Sequence, residues 1–185
     1  MRVILFVLLV FPLQFFITGC VMTPKQPALH DFGLSSSAIN IDISTKPIIT
    51  VDAPTWLWDN RIRYRLLYAS PTKVGFYALD QWIASPPELF QQQLIANGKM
   101  PSCPMQIQLL EFEQQFDAPD QARVVLRLSV EAFSSDNKQK LGTHEFRLQQ
   151  PVSTPDAAGA VKGFSHLVQQ AEEQLRNWIA SFSAK

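Results

Sequence analysis

Apolar residues recur along this chain with a period of two in several stretches and with a period near 3.6 in two others, and each change of period marks a change of element. A weak first strand is expected over residues 30–34. In 35–45, Ile39, Ile41 and Ile43 alternate with Asn40 and Asp42, which allows a strand edge or an extended crossover. The β-branched run over 47–51, closed by Asp52 and Pro54, fits a buried strand. Trp56, Leu57 and Trp58 then fall in a single helical turn. From 61 to 68 the alternation is strict: Ile62, Tyr64, Leu66 and Tyr68 share one side, and Arg61, Arg63 and Arg65 the other. This predicts an antiparallel strand with one wetted face, which returns over 74–78 as a hairpin.

A helix is announced at Ser85-Pro86-Pro87-Glu88, where serine and glutamate stand at capping-box spacing and proline occupies the first turn. Leu89, Phe90 and Leu94 form its apolar face, Gly98 stops it, and Trp82 is expected to pack beneath it. Two long strands follow. Over 106–116 the apolar phase changes between Leu109 and Leu110, which predicts a bulge or a strand covered on both faces. Ala122, Val124, Leu126, Leu128, Val130 and Ala132 keep one phase throughout, and the 117–120 turn joins the pair as a hairpin. A strand over 139–149 puts His144, Phe146 and Leu148 on one face. The last element is the most regular: after Thr154 and Pro155, placed at the cap and first turn, Ala160, Phe164, Leu167, Ala171, Leu175, Trp178 and Phe182 recur at helical spacing. Gly159 and Gly163 flatten the helix near its start and permit close approach to a sheet.

Strands and hairpins with two principal helices define an α+β (mixed α/β) domain, with both helices packed on a mixed, mainly antiparallel sheet.

The first twenty residues carry a different pattern. One charge, Arg2, precedes an apolar run to Ile17 that closes on Thr18 and Gly19, in the manner of a secretory signal with a small-residue cleavage site. Ile17-Thr18-Gly19-Cys20 resembles the bacterial lipobox, so Cys20 is expected to be lipidated as the first residue of the mature chain. Several acyl chains together hold a protein firmly at a membrane. Val21, in place of aspartate, points by resemblance to the lipoprotein sorting rule to the outer membrane. The expected organisation is a signal peptide over 1–19, a lipidated Cys and tether over 20–29, and a periplasmic domain over 30–185.

The 166 residues that follow the signal suit one domain with a single core. Fifteen basic against sixteen acidic residues in that part argue against a nucleic-acid partner, which needs a basic surface to neutralise phosphates. With Cys20 acylated, Cys103 has no partner for an intramolecular disulfide. It is read as a free thiol, with a reactive or intermolecular role as the alternative.

The pattern offers little chemistry. His30, His144 and His166 stand far apart, none at ligand spacing with another metal-binding residue, and no metal or cofactor is expected. Phosphate loops and nucleophile elbows are absent from the sequence. Glu111 and Glu113 share a strand phase, which solvated strand residues explain as well as an acid–base pair would. Trp56, Trp58, Tyr64, Tyr68, Phe76, Tyr77 and Trp82 form an aromatic-rich segment that is either core or a contact patch.

Pro54-Thr55-Trp56-Leu57, then Ile62-Arg63-Tyr64-Arg65, the Trp82 region with Pro86-Pro87, and Pro155-Asp156-Ala157-Ala158-Gly159-Ala160-Val161 together resemble the ABC-type transport auxiliary lipoproteins, the group that includes paraquat-inducible protein C. The likeness in order and spacing runs from about Phe32 to Trp178. It implies a non-enzymatic lipoprotein of a lipid-transport system, which docks the periplasmic part of the transporter to the outer membrane. The partners implied are a protein bearing a mammalian-cell-entry (MCE) domain and the membrane itself, with room for a second copy of the chain. Trp56, Trp58, Tyr68 and Trp82 are the expected partner contacts. A structural or assembly lipoprotein unconnected with lipid transport would share the same features, and a lipid-anchored hydrolase would need a nucleophile and base that the sequence does not show.

Overall fold

In the computed structural model, which describes residues 25–33, 49–96, 103–136 and 139–183, the segments with the cleanest alternation form the middle of a seven-stranded mixed sheet. The strands are β1 (Ala28–His30), β2 (Ile49–Asp52), β3 (Arg61–Leu66), β4 (Val74–Trp82), β5 (Met105–Ala118), β6 (Gln121–Phe133) and β7 (Lys140–Pro151). The helices are α1 (Pro86–Ala96) and α2 (Ala157–Ser183), with a 3-10 turn at Thr55–Leu57. The expected signal peptide, Cys20, the strand pattern over 35–45 and Gly98 lie outside the described residues. The result is a single α+β domain.

Strand order is β1-β4-β3-β5-β6-β7, with β2 also on β5. The long ladders β5–β6 and β6–β7 are antiparallel, as is the β3–β4 hairpin. β1 runs parallel to β4, and both β2 and β3 run parallel to β5. β2 pairs with Met105–Gln108 and β3 with Gln114–Phe116, so one side of β5 holds two strands in succession. The phase change read at Leu109–Leu110 is a bulge: the β5–β6 register shifts between Leu109 and Glu111. Beyond it Phe112 to Phe116 are all buried.

The core lies on one face of the sheet. Ile107, Leu109 and Phe112 of β5 and Val124, Leu126, Leu128 and Val130 of β6 join one cluster with Leu89, Phe90 and Leu94 of α1 and the stripe of α2. Along α2, Ala160, Phe164, Leu167, Ala171 and Leu175 are buried, whereas Trp178 and Phe182 at the far end are half-buried. This helix has 27 residues and is therefore about 40 Å long. A β-carbon on Gly163 would sit 2.7 Å from Val124 Cγ2, which is the close approach to the sheet that the spacing predicted. Gly159 instead presses on the backbone of Thr154, not on the sheet.

Both helix starts differ in detail from expectation. At α1, Glu88 accepts the Ser85 N–H at 3.0 Å as a capping box requires, but the Ser85 hydroxyl donates to that same carboxylate at 2.6 Å. At α2 the cap is Asp156, two residues after Thr154: its Oδ1 accepts the Gly159 N–H at 2.8 Å and the Thr154 hydroxyl at 2.7 Å. β1 starts at Ala28, two residues before the expected strand, and β4 reaches four residues past the expected 78.

Candidate functional site

Between β2 and β3 the chain leaves the side of β5 and rejoins it, and the excursion is the 3-10 turn. Pro54 accepts the Leu57 N–H at 2.9 Å, and Leu57 is buried, which pins the turn from below. The indole N–H of Trp58 donates to the Ala53 carbonyl at 2.9 Å, and Arg63 donates to the Trp56 carbonyl. With its backbone fixed this way, the turn presents Trp56 at 59% exposure and Trp58 at 43%. Tryptophan is buried more often than not, so these two rings are exposed on a turn whose backbone is held.

Tyr68 is also exposed, but it lies in the turn after β3, the length of a six-residue strand, or roughly 20 Å, from Trp58. The structure therefore brings Trp56 and Trp58 together and leaves Tyr68 apart. Trp82 is a correction. It is 1% exposed, and its ring meets Phe32, Phe112 and Phe164 in edge contacts at 5.3–5.9 Å between centroids. It belongs to the core and not to a contact surface, and its ring partners include α2 where packing beneath α1 was expected. The physical reason is the register: Trp82 ends β4 on the core-facing side, where its ring packs with those of Phe32, Phe112 and Phe164.

The sheet face opposite the core is charged. Beside the 3-10 turn, where the β5 bulge opens the ladder, lies a hollow of about 190 Å³ lined by Trp56, Arg63, Arg65, Glu111, Glu113 and Arg127 among others. Arg65 grips Glu113 with two bonds, Nε to Oε1 at 2.8 Å and Nη2 to Oε2 at 3.0 Å. The Gln115 amide donates to Glu113 at 3.0 Å and to Glu111 at 2.8 Å, and its oxygen accepts from Arg123 at 3.0 Å. Arg123 in turn reaches Asp117. The Glu113 bond raises the Arg65 pKa above its ordinary value, whereas burial lowers that of Arg63. Glu111 and Glu113 do share a face, but Glu113 is buried and held, not solvated. A carboxylate with its lone pairs occupied by a guanidinium and an amide is poorly placed to move protons. The arrangement is a rigid charged lattice with an aromatic rim.

The histidines fall in three separate places. His30 is hydrogen-bonded to Asp80 at 2.9 Å, His166 to Gln150 at 3.2 Å, and His144 sits edge-on to Phe146. No group of three or more His, Cys, Asp or Glu able to hold a metal occurs among the described residues. Cys103 is half-buried, donates weakly to the Phe133 carbonyl at 3.1 Å, and has its pKa pushed up by burial.

Sequence reasoning missed two features. The lattice depends on β3 lying parallel beside β5, which joins residues 48 apart and leaves no local signal. The exposed aliphatic residues Leu29, Leu79 and Ile83 gather beside β1, which alternation over 30–34 had placed too late in the chain.

The fold is similar to a crystal structure of a Xanthomonas campestris protein from the DUF330 family, with a TM-score of 0.63 at 16% identity, covering 74% of this chain and 83% of that one. It is also similar to the crystal structure of a protein described only as uncharacterized, with a TM-score of 0.63 at 13% identity, covering 84% of this chain and 99% of the other. At such identities the likeness is one of fold. No protein-family model and no curated protein matches the chain.

Proposed function

We propose that this chain is an outer-membrane-anchored periplasmic lipoprotein, a non-enzymatic auxiliary component of an ABC/MCE-type lipid transporter that docks the transporter's periplasmic part to the outer membrane. The reading is carried by the lipobox at Ile17-Thr18-Gly19-Cys20 together with the ordered motifs shared with the auxiliary lipoproteins. The site supports it in a general way. A lattice that ties up Arg65, Glu113, Arg123 and Asp117, beside a held turn that displays two tryptophans, suits a domain that acts by offering a surface. Trp56 and Trp58 are the contact residues in this reading; Trp82 is withdrawn from it.

Two measurements test it. Labelled palmitate should enter the wild type and not Cys20→Ala; equal labelling of both removes the anchor. A photo-cross-linking amino acid at Trp56 or Trp58 in cells should capture an MCE-domain protein. Repeated capture of an outer-membrane assembly component, with no transport protein, replaces this reading with the structural alternative.

A further inference from the structure

The sheet ends on β7, a strand of 12 residues with no further strand beyond it among the described residues. Val152, just past its end, donates its N–H to the Ala122 carbonyl of β6 at 3.0 Å. The β6–β7 register is unbroken from Gly142 to Pro151, so residues in phase with Val152, such as Phe146 and Leu148, turn both backbone groups to β6. The alternate residues, Thr143, Glu145, Arg147 and Gln149, turn theirs outward, and all of these are exposed. Pro151 falls in the same outward phase, where its missing N–H costs no bond within the sheet. A row of unmet N–H and C=O groups along so long an edge is a template for another strand.

The charges on this row select the strand. Arg147 stands directly opposite Arg127 of β6, a like-charge pair that weakens a ladder, and it has no ion pair among the described residues, since Glu145 reaches Arg127 instead, at 3.4 Å. We propose that β7 pairs antiparallel with β7 of a second copy of this chain, about a two-fold axis at Phe146, so that one sheet runs through both. Glu145 of each copy then stands opposite Arg147 of the other, and Thr143 opposite Gln149, with the outward backbone groups of these residues exchanging bonds. A slip of one residue sets those groups against residues that turn away from them. A slip of two brings Glu145 onto Glu145 or Arg147 onto Arg147, which like charges disfavour, so a single register is singled out. The ladder stops where Leu141 meets Pro151, which has no N–H to give. The interface closes on itself and leaves no free edge at β7. It depends neither on the lipid anchor nor on the transport reading.

The test uses the full chain with Cys103→Ser, solubilised from membranes in detergent, in two differently tagged forms, Thr143→Cys and Gln149→Cys; the chain with neither new cysteine gives the background. When the two are mixed and oxidised with copper phenanthroline, the mixed 143–149 disulfide should form severalfold more than the 143–143 or 149–149 one, because only the opposed pair lies within disulfide reach. Arg147→Glu in both chains should cut that yield severalfold. Arg147→Glu in one chain with Glu145→Arg in the other should restore it. Equal yields of all three disulfides mark random collision and overturn the proposal, as does a homodisulfide that forms fastest or the absence of any disulfide above background. A mixed yield unmoved by the charge reversal, or not recovered in the complementary pair, overturns it by removing the charges that set the register. Cross-linking of the Thr143→Cys chain in cells to a different protein, without the mixed disulfide, gives the edge to another strand and overturns it too.

Discussion

The ring of Phe164 in α2 lies stacked on that of Phe112 in β5, with centroids 3.9 Å apart and planes 18° from parallel. Phe112 follows directly on the β5 bulge, so the shift in register turns this ring toward the helix. Trp82 and Phe32 close around the pair.

Removing one of these rings should therefore be costly. Phe164→Ala is expected to destabilise the domain by about 3–5 kcal/mol, the usual range for a buried phenylalanine. Trp178→Ala, at the half-buried end of the same stripe against Phe146 and Phe182, should cost less, about 1–3 kcal/mol. Urea unfolding of the two variants checks the order; a larger loss at Trp178 would mean that the far end of α2 carries the packing.

Gly163→Ala pits two effects against each other. Alanine favours an ordinary helix interior by about 1 kcal/mol. Here its methyl would meet Val124 at 2.7 Å and Val152 at 3.0 Å, so α2 must lift from β6 or the valines must turn. Overpacking of this kind costs about 1–3 kcal/mol, and the variant should melt several degrees lower. A variant that melts higher than wild type would show that the helix yields freely.

Asp156 should make the domain weaken in acid. Its carboxylate, bonded to the Gly159 N–H and the Thr154 hydroxyl, has a pKa held below the ordinary aspartate value in the folded state. A carboxyl lowered by folding stabilises above its unfolded pKa, and this contribution is lost as the pH falls through the folded one. Asp156→Ala should cost about 1 kcal/mol near neutral pH, as loss of an N-cap does. The gap between wild type and variant should close as the pH drops below the aspartate range. Denaturant titrations across that range decide it, and a gap independent of pH contradicts the cap.

Cys103 should react slowly. Burial raises its pKa, so at neutral pH little of it is thiolate, the form that attacks disulfides and maleimides. Reaction with an aromatic disulfide reagent is expected to be severalfold slower in the native protein than in urea. Equal rates would mean that the segment beside Phe133 opens readily.

Local pattern carried much of the fold. The 3.6 period from Ala160 to Leu175 is the buried stripe of α2, and the unbroken alternation from Ala122 to Ala132 is the core face of β6, because each of these faces is decided within a few residues. The doublet Leu109–Leu110 revealed the bulge for the same reason. What could not be read was pairing between distant segments. Nothing near Arg65 indicates that Glu113 will hold it, and nothing near Ile49 points to Met105. Trp82 shows the limit for surfaces: an aromatic-rich stretch does not say which ring turns inward, and only the register of β4 decides that one is core while Trp56 stays outside.

Phe32, four residues from the start of β1, is where mechanical load would enter this domain. A pull on the N-terminal segment first meets the three-residue ladder between β1 and β4, which can part rung by rung. The next fixed point is a ring wedged at 5.3 Å from Trp82 and 5.8 Å from Phe112, with its own carbonyl accepting from Ser165 of α2. Tension on the N-terminal segment would thus pass through Phe32 into the centre of the sheet and the long helix at once, so that beyond the β1 edge no part of the core is loaded alone.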